Sequence, residues 1–241
     1  MKVMGAKQML AIAALGTVAA SSGCRSDVLD LTVDLQPEVY AADFGASPGT
    51  IPVDACTPSD PGSCQLPGVV IDGATPTTGV QVSVGCDPST LRCFAQAQAR
   101  TSITVDVLMD DNFTSAVERR AISFVRIVDL AYTVPVNTLT FDLPSVSVYA
   151  GPEGSTTETD PGVAPIGATA VISAGTVVTE PLHLTLADGT MARSLIEGSI
   201  QNERPFVVIF VASPRLESGD PVPGGAVEIH LAPRLLLGFP R

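Results

Sequence analysis

The 241-residue chain has no tryptophan, three tyrosines and eight phenylalanines. That shortage counts against sugar recognition by ring stacking and leaves a core to be built from aliphatic side chains. Histidine, the group most often recruited for acid–base and nucleophilic catalysis, occurs twice. In Leu182-His183-Leu184-Thr185-Leu186 the leucines alternate with the polar residues, which puts His183 on the face opposite the core. The same pattern in Val227-Glu228-Ile229-His230-Leu231 exposes His230 beside Glu228. Two such ligands with no thiolate nearby would make a poor zinc site even on adjacent strands. Gly-x-Ser-x-Gly, a phosphate-binding loop and a dinucleotide fingerprint are all missing. Beyond the first two dozen residues no apolar run approaches eighteen, so a membrane-crossing helix is not expected there.

Those first residues have a pattern of their own. Lys2 and Lys7 precede Met9 to Ala20, an apolar run of twelve, and the small residues Ser21, Ser22 and Gly23 lead to Cys24. This is the anatomy of an export signal. A run of twelve falls short of the roughly 20 residues that a transmembrane helix needs, so removal of the segment is expected.

The stretch Ser21-Ser22-Gly23-Cys24 resembles the lipobox of bacterial lipoproteins, and Ser22 and Gly23 fit it. Ser21 stands where that family usually has Leu. The resemblance implies a signal peptide over residues 1–23, cleavage before Cys24, and a diacylglycerol thioether on the Cys24 sulfur. The rival is ordinary cleavage after Val18-Ala19-Ala20, releasing a soluble protein. Cysteine parity favours the lipobox. The chain has five cysteines, and assigning Cys24 to lipid leaves Cys56, Cys64, Cys86 and Cys93, enough for two disulfides in an oxidising compartment.

Without residues 1–23, 218 residues remain, with 11 basic against 25 acidic residues and a net charge of −14. Such a field repels nucleic acid and anionic headgroups. Membrane contact is therefore assigned to the lipid, and nucleic acid is not expected as a partner.

The four remaining cysteines are expected to be structural, with no metal bound. Seven residues separate Cys56 from Cys64 and six separate Cys86 from Cys93, unlike the two-residue spacing of zinc knuckles. The turn chemistry of Asp87-Pro-Ser-Thr90 favours a local Cys86–Cys93 link across a tight reversal, with Cys56–Cys64 closing the neighbouring loop. Loop entropy does not decide the matter: local loops are worth about 2.5 kcal/mol each and a crossed pairing about 4 kcal/mol.

Period-two patterning marks a strand from about Val28 to Gln36 after a tether over residues 24–28. Three strand-like stretches fill Gly79 to Met109. Ala121 to Val136 and Thr138 to Ala150 read as a hairpin kinked by Pro135 and Pro144. Gly151 to Gly167 reads as a mobile polar excursion. Further strands are expected at Ala170–Ile172, Val177–Leu186, Ala226–Leu231 and Phe206–Ala212, the last apolar enough to be buried.

Around 189–200 the period changes. Met191, Leu195 and Ile196 share a helical face, with Asp188 or Thr190 as cap, so one short helix is expected. Asp110-Asp111-Asn112 after a strand offers several oxygens, which makes it a weak calcium candidate without the EF-hand spacing.

Many short strands and one helix predict an all-β fold, an antiparallel Ig-like β-sandwich, formed as a single domain over 29–241 with a sub-boundary near 112–121. From Ala121 onward the chain resembles in style the repetitive sandwich domains of uncharacterised bacterial exported lipoproteins, a likeness that brings no catalytic residues. The expectation is a non-enzymatic lipid-anchored protein of the cell envelope at the outer membrane, using no cofactor and binding a protein or glycan partner. The alternatives are a secreted adhesion or carbohydrate-binding module, and a hydrolase without a sequence signature.

Overall fold

A computed structural model of the protein describes residues 28–45, 49–60, 64, 79–117, 121–187 and 190–240. The elements, in chain order, are β1 (Val28–Asp34), β2 (Glu38–Asp43), β3 (Gly79–Asp87), β4 (Arg92–Val105), a 3-10 turn (Val107–Met109) and α1 (Asp111–Val117). Then come β5 (Phe124–Asn137), β6 (Ser147–Pro152), β7 (Ala164–Ala168), β8 (Val178–His183), β9 (Thr185–Leu186) and α2 (Thr190–Gln201). The chain ends in β10 (Phe206–Ala212), β11 (Arg215–Glu217) and β12 (Ala226–Pro240). Two antiparallel sheets pack face to face, the all-β sandwich expected.

In the first sheet β1 and β2 run end to end along one edge of β12, from Val28 opposite Pro240 to Asp43 opposite Ala226. Their offset at 35–37 is closed by the Leu35 amide donating to the Pro233 carbonyl at 2.9 Å. On its other edge β12 pairs with β5, and β5 with β8. Pro135 sits where the β5–β12 register slips between Glu228 and His230. A residue without an N–H is tolerated at such a bulge, so β5 continues through it.

The second sheet runs β3, β4, β10, β6, β7, β9, with β11 continuing β10 along β4 in the same register. Between the sheets lies one aliphatic core that includes Val134, Val148, Phe210 and Leu237, and one end of it is covered by α2 through Ala192, Ile196 and Ile200. That stripe differs from the expected helical face, since Met191 is 61% exposed. Asp188 lies outside the described residues. A second slip, between Arg234 and Leu235, bulges Val128 outward, and the Ile127 amide finds its acceptor in Glu197 of α2 at 3.0 Å.

Several expectations change. One helix was expected and two are present among the described residues, α1 being the second, and Val177–Leu186, read as one strand, divides into β8 and β9 in different sheets. β5 and β6 do not form a hairpin: they belong to different sheets, and 138–146 carries the chain across with Leu139, Phe141 and Leu143 buried on the way. Ala170–Ile172 is no strand, although Ile172 bridges to Leu143. Residues 79–109 hold two strands rather than three.

Val207, Ile209 and Val211 face away from the core and are nonetheless buried, packed with Tyr149 and Val163. Their cover is the 151–163 segment, the larger part of the Gly151–Gly167 stretch read from sequence as a mobile excursion, whose last residues instead form β7. Asp160 ties this loop by accepting from the Thr156 and Thr157 amides at 2.7 and 3.0 Å and from the Thr157 hydroxyl at 2.6 Å. Arg100 holds its outer side with a two-pronged bridge to Glu158 at 2.9 and 2.7 Å.

Candidate functional site

The β3–β4 hairpin sets Cys86 directly opposite Cys93. Its turn is closed by Asp87, which accepts from the Ser89 amide at 2.8 Å and the Ser89 hydroxyl at 2.6 Å. These bonds draw the Asp87 carboxyl down to about 2. The tight reversal read from sequence is present, but its cysteines do not bond each other. The disulfides are Cys56–Cys86 and Cys64–Cys93, with Cα–Cα distances of 5.8 and 5.6 Å.

The local pairing expected from turn chemistry is thus corrected. Opposed residues of an antiparallel pair hold their Cβ atoms roughly 4.5–5.5 Å apart, wider than the roughly 3.8 Å that a disulfide takes. The loop bearing Cys56 lies against the hairpin end and meets that geometry. It is held there by the Cys56 amide donating to the Leu91 carbonyl at 3.0 Å and by Arg92 Nη1 donating to the Val53 carbonyl at 3.0 Å. Cys56, Cys64 and Cys93 are buried.

The calcium candidates have other work. Asp110 is buried at the start of α1, where Oδ1 accepts from the Phe113 amide at 2.9 Å and Oδ2 from the Gln36 amide at 2.6 Å. It caps the helix and closes the β1–β2 offset. Asp111 is the first residue of α1, and the Asn112 side chain donates to the Asp34 carbonyl at 2.9 Å. The stretch is a helix start, not an open loop of converging oxygens.

His183 and His230 both lie on the outward side of the first sheet, as their alternation implied. His183 Nδ1 is 2.8 Å from Asp129 Oδ1 with its side chain 68% exposed, and His230 Nε2 is 3.6 Å from Glu228 Oε2. Their strands are not adjacent, because β5 runs between β8 and β12; one metal ion would have to span two strand spacings, roughly 10 Å.

One apolar cavity of about 30 Å³ lies between the sheets beneath α2, lined by Val105, Ile196, Ile200, Phe206, Leu231 and Leu235 among others. Glu38 is the acid at its wall. Burial, with the Asp110 charge second, pushes the Glu38 carboxyl above its ordinary value. A space that size is about one water's share of volume, and its apolar lining offers a water no hydrogen-bond partner.

No family model and no curated protein matches the chain. Among solved structures it is similar over 99% of its length to a chain of Desmodium yellow mottle tymovirus, covering 97% of that chain at 11% identity with a TM-score of 0.26. It is similar over 84% of its length to 33% of a chain from the Gt strain of infectious bursal disease virus, at 14% identity with a TM-score of 0.20. Scores this low carry no argument about function.

Cys24, the expected lipidation site, lies outside the described residues. Among the described residues no helix is long and apolar enough to cross a membrane. Sequence reading missed Glu38 and Asp160, two acids whose settings depend on which segments fold over them. The signal for Asp110 was present, as an Asp before an apolar Phe113 and Val117 at helical spacing.

Proposed function

We propose that the protein is a non-enzymatic, lipid-anchored component of a bacterial cell envelope, with a binding or structural role. The observation that supports this reading best is the pairing of Cys56, Cys64, Cys86 and Cys93 into two disulfides. Disulfides belong to oxidising compartments, and with those four joined Cys24 is the odd thiol, next to small residues that suit lipobox cleavage. Diacylglycerol supplies the two chains that stable anchoring needs. Arg25 in place of Asp after Cys24 favours the outer membrane.

Only Arg25, Ser26 and Asp27 stand between Cys24 and β1, a reach of about 14 Å at full extension. Anchoring there would hold the sandwich close to the bilayer, with the start of β1, the end of β12 and the start of β5 nearest the lipid. The outward face of the first sheet and the 151–163 loop would be left to meet a protein or glycan partner.

Detergent phase partitioning of the expressed full chain against Cys24→Ser tests the anchor. The parent is expected in the detergent phase and the variant in the aqueous phase. A parent wholly in the aqueous phase would overturn the anchor and favour the secreted soluble module.

A further inference from the structure

The two disulfides share one sulfur cluster. The Sγ atoms of Cys56, Cys64 and Cys86 lie within 4.8 Å of one another, and the fourth sulfur, that of Cys93, is bonded to Cys64. Zn–S bonds of about 2.3 Å in a tetrahedral tetrathiolate set neighbouring sulfurs roughly 3.8 Å apart. For Cys56, Cys64 and Cys86 side-chain torsions cover a difference of that order, and Cys93 would swing in once its bond to Cys64 is broken. Two of the thiols are fixed opposite each other on a hairpin, and a third sits on a loop tied to it by the Cys56 amide bond to Leu91 and by the Ala55–Arg92 bridge. Three of the four are buried, which keeps most of the cluster out of water. The long spacings in the sequence argued against metal; the fold supplies the convergence that the spacing lacks.

We propose that the reduced protein binds one zinc ion through Cys56, Cys64, Cys86 and Cys93, so that this corner of the sandwich has two closed states, a pair of disulfides and a metal tetrathiolate. Reduction takes four electrons and four protons from two equivalents of a dithiol, which leave as disulfides. Zinc then displaces the four thiol protons. In a reducing compartment the metal performs the stapling that sulfur–sulfur bonds perform in an oxidising one. The proposal is independent of the lipid anchor, and loss of acylation would leave it standing.

The test uses the full chain in detergent, reduced anaerobically with a dithiol that is then removed by desalting. One equivalent of zinc is expected to give a single bound ion by native mass spectrometry and to raise the melting temperature of the reduced protein. Cobalt in its place is expected to give thiolate charge-transfer and tetrahedral d–d bands. Cys64→Ser with Cys93→Ser should abolish the bands and the melting shift, while its β-sheet circular dichroism, with Cys56–Cys86 oxidised, reports folding. Zinc that does not bind, binds without raising the melting temperature or restoring sheet signal, or gives the same cobalt bands in the double variant would overturn the proposal.

Discussion

The ring of Phe94 lies across the bare Cα of Gly85, its partner in the β3–β4 register. A Cβ at position 85 would meet Phe94 Cζ at 2.6 Å, and the Arg215 guanidinium stacks on the ring at 4.1 Å. Glycine there is the condition for the stack. Gly85→Ala is expected to cost about 1–2 kcal/mol through displacement of the ring and weakening of its cation–π contact. In a Phe94→Ala background the same substitution should cost little, and a double-mutant cycle by urea denaturation measures the coupling.

Tyr40 is stacked on Phe210 with ring centroids 5.2 Å apart and is fully buried, yet its hydroxyl has no hydrogen-bond partner among the described residues. An orphaned buried hydroxyl costs about 1–3 kcal/mol. Tyr40→Phe keeps the ring and removes that cost, so it is expected to raise the unfolding free energy by about 1 kcal/mol. A loss of stability on chemical denaturation would show that the hydroxyl is satisfied by water.

The outer cover of β10 yields a pH-dependent prediction. Hydrogen bonds from the Thr157 hydroxyl and the Thr156 and Thr157 amides hold the Asp160 carboxyl down to about 2. A lowered folded pKa gives stability that is present above the ordinary carboxylate value and lost as pH falls toward the folded value. Asp160→Ala should therefore melt below the parent at pH 7, with the two converging as pH approaches 2. Ile209→Thr, on the covered outer face, should cost about 2 kcal/mol. A neutral result by thermal melting would mean that the loop leaves that face open.

Glu38 has the opposite sign. Its carboxyl is raised, first by burial and then by Asp110, so the folded state prefers the neutral acid. Below the ordinary glutamate value no penalty exists; stability falls as pH rises through that value and on through the folded one. Glu38→Gln is expected to stabilise at pH 7 and to change nothing at pH 3, read as melting temperatures at the two pH values. A stabilisation that persists at pH 3 would assign the effect to packing.

Much of the framework was legible because period-two alternation reports burial directly, as in β1, β4 and β12, and because the uniform apolar run at 206–212 implied cover on both faces. Alternation does not say which sheet a strand joins. The crossing at 138–146 and the switch at Leu184, where β8 pairs with β5 and β9 with β7, look in sequence like continuous strands. Cysteine pairing was hidden because it depends on where the loop bearing Cys56 lies against the hairpin, which no local sequence pattern reports. The tie that Asp110 makes to β1–β2 was not legible, because its carboxylate accepts from Gln36, 74 residues away. The 151–163 loop looked mobile because its anchors, Asp160 and Glu158, are polar residues whose partners only folding supplies.

Intact mass of the native protein, before and after reduction and alkylation, tests the central claim most directly. The account predicts a chain beginning at Cys24, heavier than its sequence by a diacylglycerol group and any further acyl chain, with four alkylatable thiols appearing only after reduction. Non-reducing peptide mapping of the same sample should join Cys56 to Cys86 and Cys64 to Cys93. A full-length chain with Met1 intact, no added lipid and five free thiols would contradict it.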